Sequence, residues 1–164
     1  MSLQTYVFFK KDRHPSVERL QSNITQQGFN FVLPESINLL TDTRVLIEGK
    51  FEGLESCFDY LSAAYNEDDW PWAEPDKTIF KEYDLVSVFN AYSNAQEIVG
   101  MIVTASVLTH MTSGTLFSEF FDDDLISADR CIAFAKETIV ASRDQFCGPS
   151  KLRRSSFDPF LSDS

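Results

Sequence analysis

Two histidines, three cysteines and two dense acidic runs are the parts of this 164-residue chain that could do chemistry. General acid–base work near neutral pH draws on His more than on any other side chain. His14 stands in a polar turn before Pro15. His110 falls near the end of a long helical stretch, where exposed carbonyls favour a cation. Both positions suit a structural role. Cys57, Cys131 and Cys147 form an odd, widely spaced set that fits neither a disulfide framework nor a zinc site. Cys57 and Cys131 flank apolar positions and read as small core residues, and Cys147 reads as exposed and incidental. Asp122, Asp123 and Asp124 offer carboxylates to a metal. They lack the alternating ligands, the glycine bend and the distal Glu of a calcium loop. The six glycines make no phosphate-binding pattern, and no Gly-x-Ser-x-Gly elbow occurs. The sequence therefore assigns no catalytic, cofactor-binding or metal-binding residue, and no cofactor is expected.

The second acidic run is different in kind. Between Glu67 and Asp84 the acids are Glu67, Asp68, Asp69, Glu74, Asp76, Glu82 and Asp84, against Lys77 and Lys81. Trp70 and Trp72 lie inside this run, separated by Pro71. Trp is enriched at the energetic centres of interfaces, and Pro limits the entropy lost on ordering a loop. Trp70 and Trp72 with Asp68, Asp69, Glu74 and Asp76 thus make a candidate surface for a basic protein partner. The competing reading folds both indoles back on the core and leaves the acids to solvate the loop.

Net charge supports a basic partner and excludes others. At −11, with a pI near 4.5, the chain repels phosphate backbones and anionic membranes, so neither nucleic acid nor membrane is an expected partner. The N-terminus has no basic stretch leading into an apolar run, and residues 98–108 are too short and too polar to span a bilayer. A cytoplasmic location is the expectation. The length allows one domain with a sizeable core and no staple. Residues 1–145 read as that single domain, and 146–164, with Gly148-Pro149, Arg153-Arg154 and several Ser, read as a mobile tail. Fifteen Phe predict a core built from aromatic rings.

The elements that must position these residues alternate early. Thr5 to Lys10 predicts a strand, stopped by His14-Pro15. Ser16 can cap a helix whose apolar face is Val17, Leu20 and Ile24, with Gly28 at its C-terminal end. Phe29 to Leu33 resumes as a strand before Pro34. A hairpin follows from Arg44, turning near Glu52-Gly53 into a second arm near Ser56 to Tyr60, although Phe58, Leu61 and Tyr65 also fit helical spacing. Asn66 to Tyr83 is irregular, and Asp84 to Tyr92 reads as a central strand. Asn94 can cap a helix with a wide apolar stripe from Ala95 to Met111. A strand over 115–121, a turn at Asp122 to Asp124, and a last helix capped by Ser127 complete the order β-α-β-β-β-β-α-β-α. This predicts an α+β fold: a mostly antiparallel sheet of five to six strands with three helices mainly on one face.

The motif order resembles a family of uncharacterised small bacterial α+β proteins. The resemblance runs through Tyr6 to Lys10, the Ser16 to Gly28 helix, the hairpin with Gly53 to Tyr60, and the long helix leading into Ser113-Gly114-Thr115-Leu116-Phe117. It covers roughly residues 5–140, and it carries no catalytic residues. Some similar small acidic proteins look like immunity proteins of polymorphic toxin systems. The resemblance thus implies a non-enzymatic intracellular binding protein, an immunity-type inhibitor that occludes a basic toxin domain. Two other readings stand beside it: an enzyme with a cryptic carboxylate site built from the acidic loop and the Asp122 turn, and a structural homodimer.

Overall fold

The structure is a computed structural model that describes residues 2–69, 77–92, 94–118 and 125–145. The first strand, β1 (Leu3–Phe9), leads into α1 (Val17–Gln26). Ser16 Oγ accepts the Arg19 N–H at 3.3 Å, and Gly28 leaves the helix at φ +88°, so both termini form as their residue types predict. The following strand is only two residues long, β2 (Phe31–Val32). The hairpin β3 (Val45–Phe51) and β4 (Leu54–Ala64) turns on Glu52 and Gly53, both at positive φ. Two consecutive left-handed residues give the turn whose twist matches its strands. The second arm is a strand along its whole length, which removes the helical alternative. Its side chains alternate because both neighbours pair with it in register, Tyr60 opposite Val45 and Phe89.

After β5 (Leu85–Ala91), Asn94 Oδ1 accepts the Gln96 N–H at 3.0 Å and starts α2 (Ala95–Thr112). Then come β6 (Thr115–Ser118), β7 (Leu125–Ser127) and α3 (Cys131–Ser142). The sheet has seven strands in the order β2-β3-β4-β5-β1-β6-β7, and every pairing is antiparallel. The α+β architecture with three helices is as expected. The seventh strand is a correction: Ser127 ends β7 opposite Thr115 and is no helix cap. Arg130 takes the cap position of α3 without a side-chain bond. The predicted strand over 115–121 is described as far as Ser118, and Asp122, Asp123 and Asp124 lie outside the described residues.

One sheet face carries the main core. Val7, Phe9, Phe58, Phe89 and Leu116 point to it and meet Val99, Ile102 and Val103 of α2. α2 is buried on most of its circumference, because α1 and α3 flank it. Its threonine hydroxyls survive burial by turning back on the helix: Thr104, Thr109 and Thr112 donate to the carbonyls of Gly100, Ala105 and Leu108 at 2.7–2.8 Å. Gly100 lets the helix lie directly on the sheet, where a Cβ would overlap Ser56 Oγ and Phe31. The opposite sheet face has no α-helix in the described residues. Phe8, Phe80 and Phe117 form a smaller buried cluster there, with Tyr6, Tyr65 and Tyr83 around it.

Candidate functional site

The acidic loop joins β4 to β5 across that helix-free face, and the sheet holds both of its ends. At the base, the Tyr65 N–H donates to Asp84 O at 3.0 Å. Asp84 is tied in turn to the start of the chain: its N–H donates to Phe9 O at 3.3 Å, and its Oδ1 accepts the Lys11 N–H at 2.6 Å. Two short 3-10 turns, Glu67–Asp69 and Lys77–Phe80, shape the part described. Asn66 Oδ1 accepts the Asp68 N–H at 3.1 Å in an Asx turn that starts the first. The second ends in the anchor. Phe80 is fully buried, stacked on Phe8 at 4.0 Å and edge-on to Tyr65 at 6.1 Å. Tyr65 itself meets Phe8 edge-on at 5.1 Å. Burying a Phe side chain stabilises by about 1.5–3 kcal/mol, and ring pairing adds to it.

Where their side chains are described, the acids of the loop lie on the solvent side. Glu67, Asp68, Glu82 and Asp84 are exposed, as is Ile79 at 44%. Partial burial, then the negative charge of Glu67, pushes the Tyr65 phenol up from its ordinary pKa. Of the six residues singled out in the sequence, Asp68 is placed on this exposed rim and Asp69 is placed by its backbone in the first 3-10 turn. Trp70, Trp72, Glu74 and Asp76 lie outside the described residues. Phe80 is the residue that sequence reasoning missed. Its signal was an Ile-Phe pair between Lys77-Thr78 and Lys81-Glu82, too short to show a periodicity.

The remaining reactive side chains have structural partners. His14 Nδ1 lies 2.8 Å from Pro15 O, Nε2 lies 3.4 Å from Tyr60 Oη, and the ring packs on Phe9 at 5.5 Å. Burial lowers its pKa, and the Pro15 carbonyl opposes that shift. Tyr60 Oη donates to Leu39 O at 2.6 Å and lies 3.1 Å from Ser87 Oγ. Burial pushes this phenol up to about 12 despite those hydroxyls. Ser62 Oγ donates to the same Leu39 carbonyl at 3.1 Å, so the cluster fastens the loop after β2 to the sheet. His110 is exposed, with Nδ1 3.3 Å from Ala128 O. Cys131 is buried against the Ser106 and Ala128 carbonyls, and desolvation raises its thiol to about 11. Such a thiol is a core residue and a poor nucleophile. Cys57 is half-buried, and Cys147 lies outside the described residues. Among the described residues no group of three His, Cys, Asp or Glu side chains is placed to hold a metal, and no helix is long and apolar enough to cross a membrane.

A second concave feature runs beside α1. A groove of about 510 Å³ lies between α1 and the segment after β2, lined by Val17, Glu18, Gln21, Ser22, Leu33, Pro34 and Glu35. A further hollow of about 340 Å³ shares Val17 and Glu18 with it and extends past His14, Ile37, Leu39 and Leu40. Gln21 closes its floor. The side-chain Nε2 donates to Phe31 O at 2.9 Å, and Oε1 accepts the Leu33 N–H at 2.6 Å. The amide makes the pair of bonds that one residue of a neighbouring parallel strand would make, so it covers the free edge of β2.

No protein-family model, curated protein or solved structure matches the chain. The functional reading therefore rests on this chain's own residues.

Proposed function

We propose that the protein is a non-enzymatic cytoplasmic binding protein whose 66–84 loop receives a basic protein partner, as an immunity-type inhibitor receives a toxin domain. One observation carries the reading: the loop is bolted to the sheet by Phe80, Tyr65 and the Asp84 bonds, while its described acids face outward. A fixed base lowers the ordering entropy a loop loses on binding. The outward acids, within a net charge of −11, attract a basic surface and speed the encounter. The same charge disfavours nucleic acid. Trp70 and Trp72 occupy the span between the two anchored turns and supply the aromatic anchors of this reading.

The test is co-expression with the products of the neighbouring genes, followed by purification and light scattering. A stable heterodimer is expected, weakened at least tenfold by Trp70→Ala or Trp72→Ala, which is about 1.4 kcal/mol. A complex that forms equally well with both variants refutes the loop as its seat.

A further inference from the structure

Three polar residues stand side by side in the middle of the sheet. Asp59 of β4 pairs with Asn90 of β5, and Asn90 pairs in turn with Gln4 of β1. All three lie on the face opposite α2, because their neighbours Phe58, Tyr60 and Phe89 are the ones that enter the main core. Asp and Asn are depleted from strands, and a carboxylate is costly to bury without partners. Asp59 is nevertheless only 3% exposed. Breaks of local preference of this kind gather at functional sites.

The hydrogen bonds define which atoms are left to receive a donor. An ionised carboxylate only accepts, so the Tyr92 hydroxyl gives its one proton to Asp59 Oδ2, at 2.8 Å. Tyr92 Oη must then accept from Asn90, whose Nδ2 lies 2.9 Å away. This orients the Asn90 amide, with its nitrogen on Tyr92 and its oxygen facing away. Asn90 Oδ1 is buried, and among the described residues it accepts no hydrogen bond. Gln4 Oε1 accepts the Tyr6 hydroxyl, so the row presents acceptor oxygens on three adjacent strands. A pocket of about 60 Å³ opens over this row, walled by Leu61 and Val88, with the exposed Arg44 also lining it. One water takes about 30 Å³ of liquid, so the space suits a small polar head group and not a whole metabolite. Buried acceptors beside a carboxylate, between apolar walls, call for a cation that carries several N–H donors.

The pocket shares its surface with the acidic loop. That loop leaves β4 after Ala64 and enters β5 at Leu85, and these two residues pair. Five residues along each strand (64 − 59 and 90 − 85) separate them from Asp59 and Asn90, about 17 Å. Leu61, Ala63, Val86 and Val88, all half-buried, cover the interval. We propose that the pocket receives the guanidinium of an arginine side chain of the basic partner, hydrogen-bonded to the Asp59 carboxylate and to Asn90 Oδ1. That the arginine comes from this partner rests on the loop reading above, whereas the chemistry of the pocket rests on its own atoms. A guanidinium is flat, always charged and holds five donors in a rigid fork, so it can serve acceptors on two neighbouring strands at once. Arg44 places the chain's own guanidinium at the pocket, and an incoming arginine meets its charge.

The experiment titrates the nitrogen-15-labelled full chain with acetyl-arginine-methylamide and, in parallel, with acetyl-citrulline-methylamide, which keeps the shape and lacks the charge. Saturable shifts are expected at the backbone amides of Asp59 and Asn90 and at the Asn90 side-chain amide. The citrulline compound should bind at least about fivefold more weakly, since charge-assisted bonds are the stronger ones. Asp59→Asn, which still offers Tyr92 an acceptor, should lose the saturable shift. Glu48→Gln, an equal change of charge on the same sheet face, should keep it. Arg44→Gln should bind several-fold more tightly, because a like charge is gone. No saturable shift at these amides means that the pocket holds water only, and it overturns the proposal. Equal binding of the two compounds overturns it too, a comparison made on the wild type whether or not Asp59→Asn folds. In the co-purified complex Asp59→Asn should weaken binding several-fold; a complex indifferent to it overturns the proposal and leaves the loop reading standing. If no complex forms, the loop reading fails while the titration still decides the pocket.

Discussion

Replacing Gln21 by Met removes one amide and little else. Met matches Gln in length and helix propensity, so α1 itself should be unaffected. Two bonds to the edge of β2 are lost, Nε2 to Phe31 O and the Leu33 N–H to Oε1, along with a long, solvent-exposed 3.4 Å bond from Nε2 to Thr25 Oγ1 that adds little. Each contributes about 0.5–1.5 kcal/mol net, because water competes for the same groups. Gln21 is half-buried at the rim of an open trough, so water can reach the vacated backbone groups and the full desolvation penalty does not apply. The expected loss is therefore the sum, about 1–3 kcal/mol. For a chain of this size that lowers Tm by about 2–12 °C. A second effect should accompany it: with its edge uncovered, β2 offers Phe31 O and Leu33 N–H to another chain. Urea denaturation at two protein concentrations, with sedimentation velocity, reads both effects. A Gln21→Met protein of wild-type stability that stays monomeric at every concentration refutes the view that this amide guards the sheet edge.

Two further outcomes follow from the core and from His14. Gly100→Ala drives a methyl group into Ser56 Oγ and Phe31, and Ser56 is pinned there by its 2.6 Å bond to Gln96 O; overpacking should cost about 1–3 kcal/mol, read by calorimetry, and Gly100→Ser should cost more. Burial lowers the pKa of His14 in the folded state, so the unfolded chain takes up that proton first as pH falls. Stability from this source is complete above about pH 6.5 and declines below it, down to the lowered folded value. Denaturation of wild type and His14→Gln across pH 5–8 should show the wild type losing the larger fraction between pH 6.5 and 5; parallel curves would exclude His14 as the cause.

Local rules of the chain were readable without the fold. Ser16, Gly28 and Asn94 mark helix ends because capping depends on residues within one turn, and Glu52-Gly53 marks the hairpin because the turn needs positive φ at both positions. What could not be read depends on distant partners. β7 has three residues and exists by pairing with β6. The strand order places β1 between β5 and β6, which no local pattern encodes. For the candidate site, composition located the acidic loop, but its anchoring could not be foreseen, because Phe80 is buried only by the helix-free face that Phe8 and Phe117 supply. Gln21 was equally silent, since a glutamine on a helix surface is ordinary until an edge strand lies within its reach.

The interior position of β1 also has a consequence for the chain during its synthesis. Leu3 pairs with Ala91, and Thr5 with Ser118, so β1 is synthesised long before either of its partners. At about 5–20 residues per second, roughly 100 residues of waiting leave it unpaired for about 5–20 s. The segment Leu-Gln-Thr-Tyr-Val-Phe-Phe is apolar, β-prone and uncharged, the composition that seeds cross-β pairing between chains. The hairpin of β3 and β4 can close in the meantime, but it touches β1 only through β5, which is not yet made. Nascent chains of this protein therefore carry this uncharged, β-prone strand without its partners, and its protection is a matter of time and of whatever shields it until β5 arrives.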